Sequence, residues 1–362
     1  MIKILTIVGA RPQFIKSAAV SREFAKSPLI KEVILHTGQH FDQNMSQIFF
    51  DEMEIPQPDY NLNIHGLSHG AMTGQMLEGI EKVCLQEKPD YCLVYGDTNS
   101  TIAGALAAKK LLIPVVHVEA GLRSFNMRMP EEINRILTDR ISDILFCPTK
   151  AAIQNLKNEG LTGERAKIVQ NGDVMQDAAL YYAKFSEARS GIVSRLDLNR
   201  SDFALCTIHR QENTDDPERL NSIISALNKL SQTCRVVVPL HPRTRKILQT
   251  TGSRIDFDTI DPVGYFDMIE LLKNCALVIT DSGGLQKEAY FFRKFCITLR
   301  EETEWVELVE GGFNKLVGSN ETAILEAFNE LHGKQLSTDE ELYGGGNASA
   351  IIRETLLEKL SG

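Results

Sequence analysis

Short apolar runs recur along this 362-residue chain and alternate with segments of helical period. The runs form two series, at residues 2–8, 32–36, 91–95, 114–118 and 143–146, and at 203–208, 235–240, 255–260, 277–280 and 295–299. Strands that are apolar throughout and alternate with helices are typical of parallel sheets covered by helices on both faces. The pattern predicts an α/β protein with two doubly wound, Rossmann-like domains.

A turn-rich stretch, QNGDV at residues 170–174, separates the two series and marks the predicted domain boundary. We expect an N-terminal domain over residues 1–170 and a C-terminal domain over residues 171–345. The glycine-rich stretch YGGGNAS precedes a last amphipathic helix within residues 346–362, which could pack back on the first domain. The length of the chain also favours two domains over one core.

Charge and cysteine usage narrow the class of protein. A net charge of −9 and a pI near 5.5 provide no basic surface for nucleic acid or an anionic membrane. No segment approaches the roughly 20 apolar residues of a membrane span, and MIKILTIVGA is better explained as a first strand than as a secretory signal. Seven scattered cysteines without a C-x-x-C pair favour buried thiols in a reducing compartment. We therefore expect a cytoplasmic protein.

The stretch ALVITDSGGLQKEA, residues 276–289, predicts a strand, a tight turn and a helix. Ser282, Gly283 and Gly284 would lie at the N-terminus of that helix, where free backbone N–H groups bind phosphate oxygens. Glycine there lets a ligand approach the backbone closely. Glu288 lies about one turn further on, and acids in nucleotide sites commonly bind ribose hydroxyls. The alternative is an ordinary strand-to-helix turn, because so short a motif also occurs without a ligand.

Three acids of the first half are candidates for proton transfer, namely Asp97 in YGDTNS, Glu119 in HVEAGLRS and Glu131 in PEEINR. Ligands of open α/β sheets bind beyond the carboxyl ends of strands, where Asp97 and Glu119 are predicted. The structural alternative is a helix cap or an ion pair with a neighbouring arginine. Glu119 is the strongest candidate, since a Glu at a buried strand end is costly without a partner. For Glu131 alone, a role at a helix start is the better explanation.

The histidines also divide into candidates for function and residues with a structural role. His209 follows a predicted strand and precedes Arg210, which suits phosphate contact or proton transfer. His117 alternates within a strand run and is predicted to be a satisfied core residue. No known metal-site spacing relates the other histidines of the first half, His36, His40, His65 and His69. We predict neither a metal nor a cofactor.

The chain carries six motifs in the order and spacing of a known family: GARPQFIK, YGDTNST, HVEAGLRS, PEEINR, TIHRQEN and TDSGGLQKEA. Together they resemble the non-hydrolysing UDP-N-acetylglucosamine 2-epimerases, from about residue 3 to the last helix. The resemblance implies two domains that face each other across a cleft, as in the glycosyltransferase-B class. It also implies UDP held mainly by the second domain, and a homodimer.

The functional residues of that family match positions of this chain. The resemblance assigns catalysis to Asp97, Glu119, Glu131 and His209. It assigns substrate or UDP binding to a larger polar set: Arg11, Lys16, Arg135, Arg210, Asn213, Ser282, Gly283, Gly284 and Glu288.

The chemistry implied by the resemblance fits these residue types. The C2 hydrogen of an N-acetylhexosamine is not next to a carbonyl, so the family first eliminates UDP to form a 2-acetamidoglucal. UDP then adds back to give the other C2 configuration. Elimination needs a base at C2 and stabilisation of the leaving diphosphate, and proton return needs an acid on the opposite face. The sequence does not assign either face to a particular carboxylate.

Several positions depart from the UDP-N-acetylglucosamine enzymes. Gln13 replaces a usual Glu, Trp305 replaces a usual Arg, and a shorter loop between Glu119 and Glu131 reads SFNMRM. These variants resemble the branch that converts UDP-2,3-diacetamido-2,3-dideoxy-glucuronate to its manno epimer for surface polysaccharide such as lipopolysaccharide O-antigen.

Arg128 lies in the altered loop and is predicted to bind the extra carboxylate of a uronic acid through a charge-assisted hydrogen bond. The alternative is an ion pair with Glu131 or Glu132. Other functions also remain open: a UDP-N-acetylglucosamine 2-epimerase, a hydrolysing epimerase, a transferase of the glycosyltransferase-B type, or a regulatory protein that binds a UDP-sugar. Three carboxylates in the first domain favour proton chemistry on the sugar ring.

Overall fold

The computed structural model describes residues 1–39, 56–198 and 202–358, with Arg11 and Thr251 described by their backbone alone. The chain divides into two compact units, Met1–Ala178 with Glu341–Gly362, and Ala179–Glu340. The predicted boundaries, 170/171 and 345/346, lie within eight residues of these divisions.

The first unit contains a parallel sheet with seven strands in the described residues: β1 (Ile2–Val8), β2 (Ile30–His36), β3 (Tyr60–Asn61), β4 (Tyr91–Tyr95), β5 (Val115–Val118), β6 (Ile144–Cys147) and β7 (Lys167–Gln170). Their spatial order is β3-β2-β1-β4-β5-β6-β7. The helices that follow the strands are α1 (Arg11–Ala25), α2 (His69–Glu87), α3 (Asn99–Lys110), α4 (Pro130–Ile141), α5 (Lys150–Asn158) and α6 (Val174–Arg189).

The second unit contains a parallel sheet with six strands in the described residues: β8 (Phe203–Thr207), β9 (Arg235–Pro239), β10 (Asp258–Ile260), β11 (Leu277–Thr280), β12 (Cys296–Thr298) and β13 (Asn314–Leu316). Their order is β10-β9-β8-β11-β12-β13. Its helices are α7 (Ile192–Arg195), α8 (Gln211–Thr214), α9 (Pro217–Leu230), α10 (Pro242–Thr251), α11 (Tyr265–Asn274), α12 (Gly283–Phe291), α13 (Val306–Glu310) and α14 (Glu321–Leu331).

Apolar side chains cover both faces of the second sheet. Val236 and Val238 of β9 pack in one core cluster, whereas Val237 packs in another. Successive residues of a strand point to opposite faces, so an uninterrupted apolar run places a core on each side. The predicted fold class, two doubly wound parallel α/β sheets, is confirmed.

The last helix, α15 (Ala348–Leu357), belongs to the first unit. Its first backbone N–H groups, from Ala348 and Ser349, donate to Asp177 near the start of α6 at 3.1 and 2.6 Å. Arg353 of α15 forms an ion pair with Glu23 of α1 at 2.7 Å. Because Asp177 binds α15, the start of α6 belongs to the first unit, and the division between the two units falls inside this helix. Among the described residues, no helix combines the length and apolarity needed to cross a bilayer.

Each sheet has a switch point at which the strand order reverses, between β1 and β4 in the first unit and between β8 and β11 in the second. Connections from the two adjacent strands leave in opposite directions there, which leaves room for a ligand at the carboxyl ends. Four of the predicted site residues lie in the turns that follow β4, β8 and β11, namely Asp97, His209, Arg210 and Ser282.

Candidate active site

Asp97 follows β4 at the switch point of the first sheet. Gly96 adopts a φ of 62°, and this left-handed turn leads the chain out of the strand. The Nη2 of Arg135 on α4 donates to Asp97 Oδ2 at 2.6 Å, and the amide of Asn134 donates to the Asp97 carbonyl at 2.9 Å. Burial raises the pKa of Asp97; Arg135 opposes this, and nearby carboxylates reinforce it, so the pKa lies above its usual value.

Glu119 directly follows β5 in a strained backbone conformation. Its φ is 73°, which is uncommon for a residue with a side chain and persists where the surrounding structure enforces it. The N–H groups of Glu119 and Ala120 both donate to the Phe146 carbonyl, at 3.1 and 3.0 Å. The carboxylate of Glu119 forms a buried ion pair with Lys16 of α1. Strain of this kind clusters at functional sites, which agrees with the predicted role of Glu119.

The two carboxylate turns lie against each other. A Cβ atom placed on Gly96 would lie 3.2 Å from Glu119 Oε2 and 3.7 Å from Lys16 Nζ. Glycine at position 96 therefore permits the close approach. Asp97 and Glu119, paired with Arg135 and Lys16 respectively, form one cluster of alternating charge at the end of the sheet.

A pocket of about 210 Å³ opens beside this cluster. Its walls include Lys16, Asp97 and Asn134, together with Glu131 from the first turn of α4. Glu131 is exposed, so its carboxylate can meet a ligand, as its predicted catalytic role requires. The structure thus brings Asp97 and Glu131 to one pocket, and Lys16 connects that pocket to Glu119.

Glu132 has a role that sequence reasoning missed. It is buried, and its carboxylate accepts the N–H groups of Ser124 (3.1 and 3.0 Å) and Phe125 (2.8 Å) and pairs with Arg135 Nη1 at 2.7 Å. Burial raises the pKa of Glu132, but these hydrogen bonds outweigh it and the pKa lies below its usual range. Glu132 therefore fixes the start of the loop that reads SFNMRM. The spacing Glu-x-x-Arg places both side chains on one face of the helix, so the Glu132–Arg135 pair could have been predicted from the sequence.

The side chain of Gln13 ties the two turns of the switch point together. Its carbonyl oxygen accepts the N–H groups of Gly9 and Ala10, at 2.8 and 3.0 Å, after β1. Its amide donates to the Tyr95 carbonyl at 2.8 Å and to Thr98 Oγ1 at 3.0 Å, after β4. A neutral amide can both accept and donate in this way. The neighbouring Arg11 begins α1, and its predicted substrate contact lies outside the described side chains.

In the second unit, a fully buried acid at the end of β11 holds the turn after β8. Asp281 accepts the backbone N–H of His209 at 3.0 Å and of Arg210 at 3.0 Å. The His209 ring lies with Nδ1 3.3 Å from Asp281 Oδ1 and is about half exposed. Asp281 thereby presents His209 to solvent at the switch point, where a ligand can reach it.

The helix predicted to bind phosphate is α12, and Ser282 caps it. The Ser282 hydroxyl accepts the N–H of Leu285 at 3.4 Å, and Gly283 and Gly284 occupy the first two helical positions. Glu288 lies further along the same helix and is partly buried. A Cβ atom on Gly283 would lie 2.6 Å from Glu304 Oε1, while the other carboxylate oxygen, Glu304 Oε2, pairs with the buried Arg300 at 3.0 Å.

A protein-family model described as UDP-N-acetylglucosamine 2-epimerase matches residues 22–357. The chain belongs to this family. It is 58% identical over 355 residues to the UDP-2,3-diacetamido-2,3-dideoxy-D-glucuronate 2-epimerase of Pseudomonas aeruginosa, which covers 98% of this chain and 99% of that protein. It is 51% identical over 361 residues to a UDP-N-acetylglucosamine 2-epimerase homolog of Methanococcus maripaludis, with coverage of 98% and 99%.

Solved structures of epimerases resemble the whole chain. The Methanocaldococcus jannaschii UDP-GlcNAc 2-epimerase, in complex with UDP-GlcNAc and UDP, matches with a TM-score of 0.87 and 42% identity, over 98% of this chain and 99% of that one. The Neisseria meningitidis enzyme bound to UDP-GlcNAc matches with a TM-score of 0.88 and 34% identity, over 98% and 100%. The protein is therefore a UDP-sugar 2-epimerase, an isomerase, with a glycosyltransferase-B-like fold.

Asn213 of this epimerase is predicted to bind UDP, but in the structure its side chain makes hydrogen bonds within the protein. The side chain is fully buried. Its amide donates to Asp281 at 3.3 Å and to the Leu299 carbonyl at 3.0 Å, and its oxygen accepts from Arg219 at 3.2 Å. In this structure Asn213 supports the turn that carries His209, and its contact with UDP stays a prediction. Arg210 is partly buried and lies 3.7 Å from Glu212.

One cluster of the described residues has the composition of a metal site, and it lies at the opposite end of the second sheet from His209. Asp202, Cys234 and His332 place one ligand atom each within 4.8 Å of one another. Asp202 and Cys234 directly precede β8 and β9, so the cluster lies at the amino ends of the strands. Asp202 and His332 form an ion pair at 2.7 Å. The absence of a catalytic metal stays a prediction.

Gly283→Ala should weaken UDP binding by this epimerase about tenfold, because the new methyl group would lie 2.6 Å from Glu304 Oε1 and the resulting shift of Glu304 should disturb its pair with Arg300 beside the predicted diphosphate site. Loss of part of a charged hydrogen bond costs about 1–2 kcal/mol. Calorimetric titration with UDP measures the affinity. Gly191→Ala is the stability control, since a Cβ there meets no atom within 4 Å and the residue lies outside the predicted UDP site. Unchanged UDP affinity in Gly283→Ala would contradict a diphosphate site at this turn.

Proposed function

We propose that this epimerase acts on UDP-2,3-diacetamido-2,3-dideoxy-D-glucuronate and inverts C2 to give the manno epimer. The observation that carries the proposal is the full-length likeness to the Pseudomonas aeruginosa protein whose name states that substrate. The loop SFNMRM provides independent physical support, because it offers a cation to the carboxylate that distinguishes a uronate from a neutral sugar.

Arg128 is that cation. It is exposed, and its backbone N–H donates to Asn126 Oδ1 at 3.1 Å. The alternative partner Glu132 is already bound to Ser124, Phe125 and Arg135. Within the described ranges, no ion pair joins Arg128 to Glu131 or Glu132. Arg128 precedes Pro130, which lines the pocket, by two residues, and a guanidinium suits planar, two-pronged binding of a carboxylate.

The carboxylate cluster suits elimination and re-addition of UDP. Asp97 has a raised pKa, so it holds a proton more readily than an ordinary aspartate, whereas Glu119 is paired with Lys16. Two carboxyl groups in different environments can serve as the acid and the base of one reaction. The N-terminus of α12, with Ser282, Gly283 and Gly284, would stabilise the charge of the departing diphosphate. His209 would contribute a further polar contact or a proton.

Proton NMR in deuterated water tests this function. The enzyme is incubated separately with UDP-2,3-diacetamido-2,3-dideoxy-glucuronate and with UDP-N-acetylglucosamine. We expect loss of the H2 signal and a new UDP-linked manno species from the uronate. The same result from UDP-N-acetylglucosamine alone would overturn the substrate. Free sugar would indicate a hydrolysing enzyme, and no exchange in either sugar would overturn the epimerase mechanism proposed for these residues.

Arg128→Ala should lower kcat/KM for the uronate by about 10- to 100-fold, because a hydrogen bond between charged groups contributes about 1.5–3 kcal/mol. Turnover of the neutral UDP-N-acetylglucosamine, where measurable, should change little. Arg128→Lys is the matched variant, since it keeps the charge and loses the planar fork. The proposal fails if the ratio of the two kcat/KM values is the same in the wild type and in Arg128→Ala.

We further propose a cytoplasmic homodimer that supplies a surface polysaccharide, such as lipopolysaccharide O-antigen. All seven cysteines are buried and unpaired, as expected in a reducing compartment. Sedimentation of the purified protein tests the dimer, and the surface polysaccharide of a deletion strain tests the pathway.

A further inference from the structure

A fully buried histidine, His117, connects the turn that carries Asp97 to the turn that carries Glu119. It belongs to β5. Its Nε2 lies 2.7 Å from the carbonyl oxygen of Gly96, the residue before Asp97. Its Nδ1 lies 2.7 Å from Asp139 Oδ1 on α4. The sequence pattern predicts a satisfied core histidine, and both ring nitrogens have partners, but those partners belong to the catalytic turns or support them.

Asp139 links His117 to the turn that carries Glu119. It is fully buried, and its Oδ2 accepts the N–H of Gly121, two residues after Glu119, at 3.1 Å. The same oxygen accepts from Arg123 Nη1 at 2.8 Å, and Arg123 forms a two-pronged pair with Glu159 at 2.6 and 2.9 Å. Burial raises the pKa of Asp139, but His117 and Arg123 outweigh it and hold the pKa below its usual range. Asp139 is therefore a fixed negative centre between the histidine and the second turn.

We propose that His117 is a positioning residue that sets the distance between the Asp97 turn and the Glu119 turn. The proposal deepens the proposed function, because it takes these two carboxylates as the proton-transfer groups. Each turn contains a left-handed residue, Gly96 at φ 62° and Glu119 at φ 73°, and such conformations depend on the contacts around them. His117 supplies the contact on the Gly96 carbonyl directly and the contact on Gly121 through Asp139.

The close approach of the two turns makes this distance critical. The position of a Cβ on Gly96 is 3.2 Å from Glu119 Oε2, so a small shift of either turn changes how the two carboxylates face the pocket. Misplacement of catalytic groups by about 1 Å can lower the rate about 10²-fold. A core residue that served packing alone would affect the amount of folded protein, and it would leave the turnover of the folded fraction unchanged.

The test compares His117→Ala with Val116→Ala, at a neighbouring buried position of β5 whose side chain faces the other side of the sheet. The sugar is whichever UDP-sugar the wild type turns over, and kcat is measured per folded molecule. We expect His117→Ala to lower kcat about 100-fold, with UDP affinity by calorimetry within about twofold of the wild type. Added imidazole should restore part of the lost kcat, because it fits the space left by the ring. Val116→Ala should keep kcat within about threefold.

Amide hydrogen exchange provides a readout that does not depend on the sugar. We expect faster exchange at residues 96–98 and 119–123 together in His117→Ala, and no such paired change in Val116→Ala. Equal kcat in the two variants, or exchange that changes at one turn alone, would overturn the positioning role. A wild type that epimerises no UDP-sugar would instead overturn the proposed function, and hydrogen exchange would still decide whether His117 couples the turns.

Discussion

Asp97→Asn is expected to lower kcat by about 10²–10⁴-fold, the range in which a positioned acid or base contributes to proton transfer. The amide keeps the shape of the side chain and can still accept from Arg135 Nη2, now 2.6 Å from the carboxylate. It cannot exchange a proton with C2 of the sugar. Loss of the H2 signal in deuterated water, followed by NMR, measures the step directly. Binding of UDP alone should remain close to that of the wild type.

The loss of activity in Asp97→Asn should occur without loss of stability. Because burial raises the pKa of Asp97, the folded chain binds this proton more tightly than the unfolded chain does. The resulting stabilisation is present below the unfolded pKa and is lost as the pH rises through the folded value. The ionised carboxylate is therefore a cost to the folded state, and Asn, which resembles the neutral form, should unfold at the same or a higher temperature.

Asp143→Asn provides the matched control for Asp97→Asn. Asp143 precedes β6 at the amino ends of the strands, where it pairs with Lys109 at 2.6 Å and accepts the N–H of Val115 at 2.8 Å. The change should leave kcat within about twofold. If Asp97→Asn retained more than about a tenth of wild-type H2 exchange, Asp97 would not be a proton-transfer group.

The fold was predictable wherever burial dominates. The apolar runs at residues 2–8 and 91–95 became β1 and β4 because a strand covered on both faces is apolar at nearly every position; in β1 the exceptions are Lys3 and Thr6. The strands β3, β7 and β13 were missed. Each has two to four residues, and Lys167 and Gln170 of β7 are exposed. Such edge strands are fixed by pairing with a neighbour, here β6 for β7, and that neighbour is distant in sequence.

The candidate site was predictable at its ligand-facing residues and less so at the residues that support them. Asp97 and Glu119 follow apolar strands, so their positions at the end of a sheet could be inferred. The supporting acids, Glu132, Asp139 and Asp281, were given no such role, because an acid on a helix or after a strand usually faces solvent. The partners of Asp139 and Asp281 are tertiary: Asp139 accepts from Gly121, 18 residues earlier, and Asp281 holds the turn at His209, 72 residues earlier. No local pattern records such a contact.

The second large effect is expected from Gly121→Ala, which should lower the free energy of unfolding by about 2–5 kcal/mol. Gly121 follows the Glu119 turn with a φ of 80°, where a residue with a side chain is strained. In addition, a Cβ there would lie 2.4 Å from the carbonyl oxygen of Ala152 on α5, and a backbone atom cannot move aside as a side chain can. Urea unfolding followed by circular dichroism measures the effect as an apparent midpoint, since a chain of two compact units need not unfold in one step.

Gly160→Ala separates the two causes of the Gly121→Ala effect. Gly160 has a similar φ of 74°, but a Cβ there meets no atom within 4 Å. It should therefore show the backbone cost alone, about 1 kcal/mol. Equal losses in the two variants would mean that the turn after Glu119 can move away from α5. A larger loss in Gly121→Ala, accompanied by a fall in kcat of the folded fraction, is expected because Glu119 can keep its strained conformation only while this turn packs against the backbone of α5.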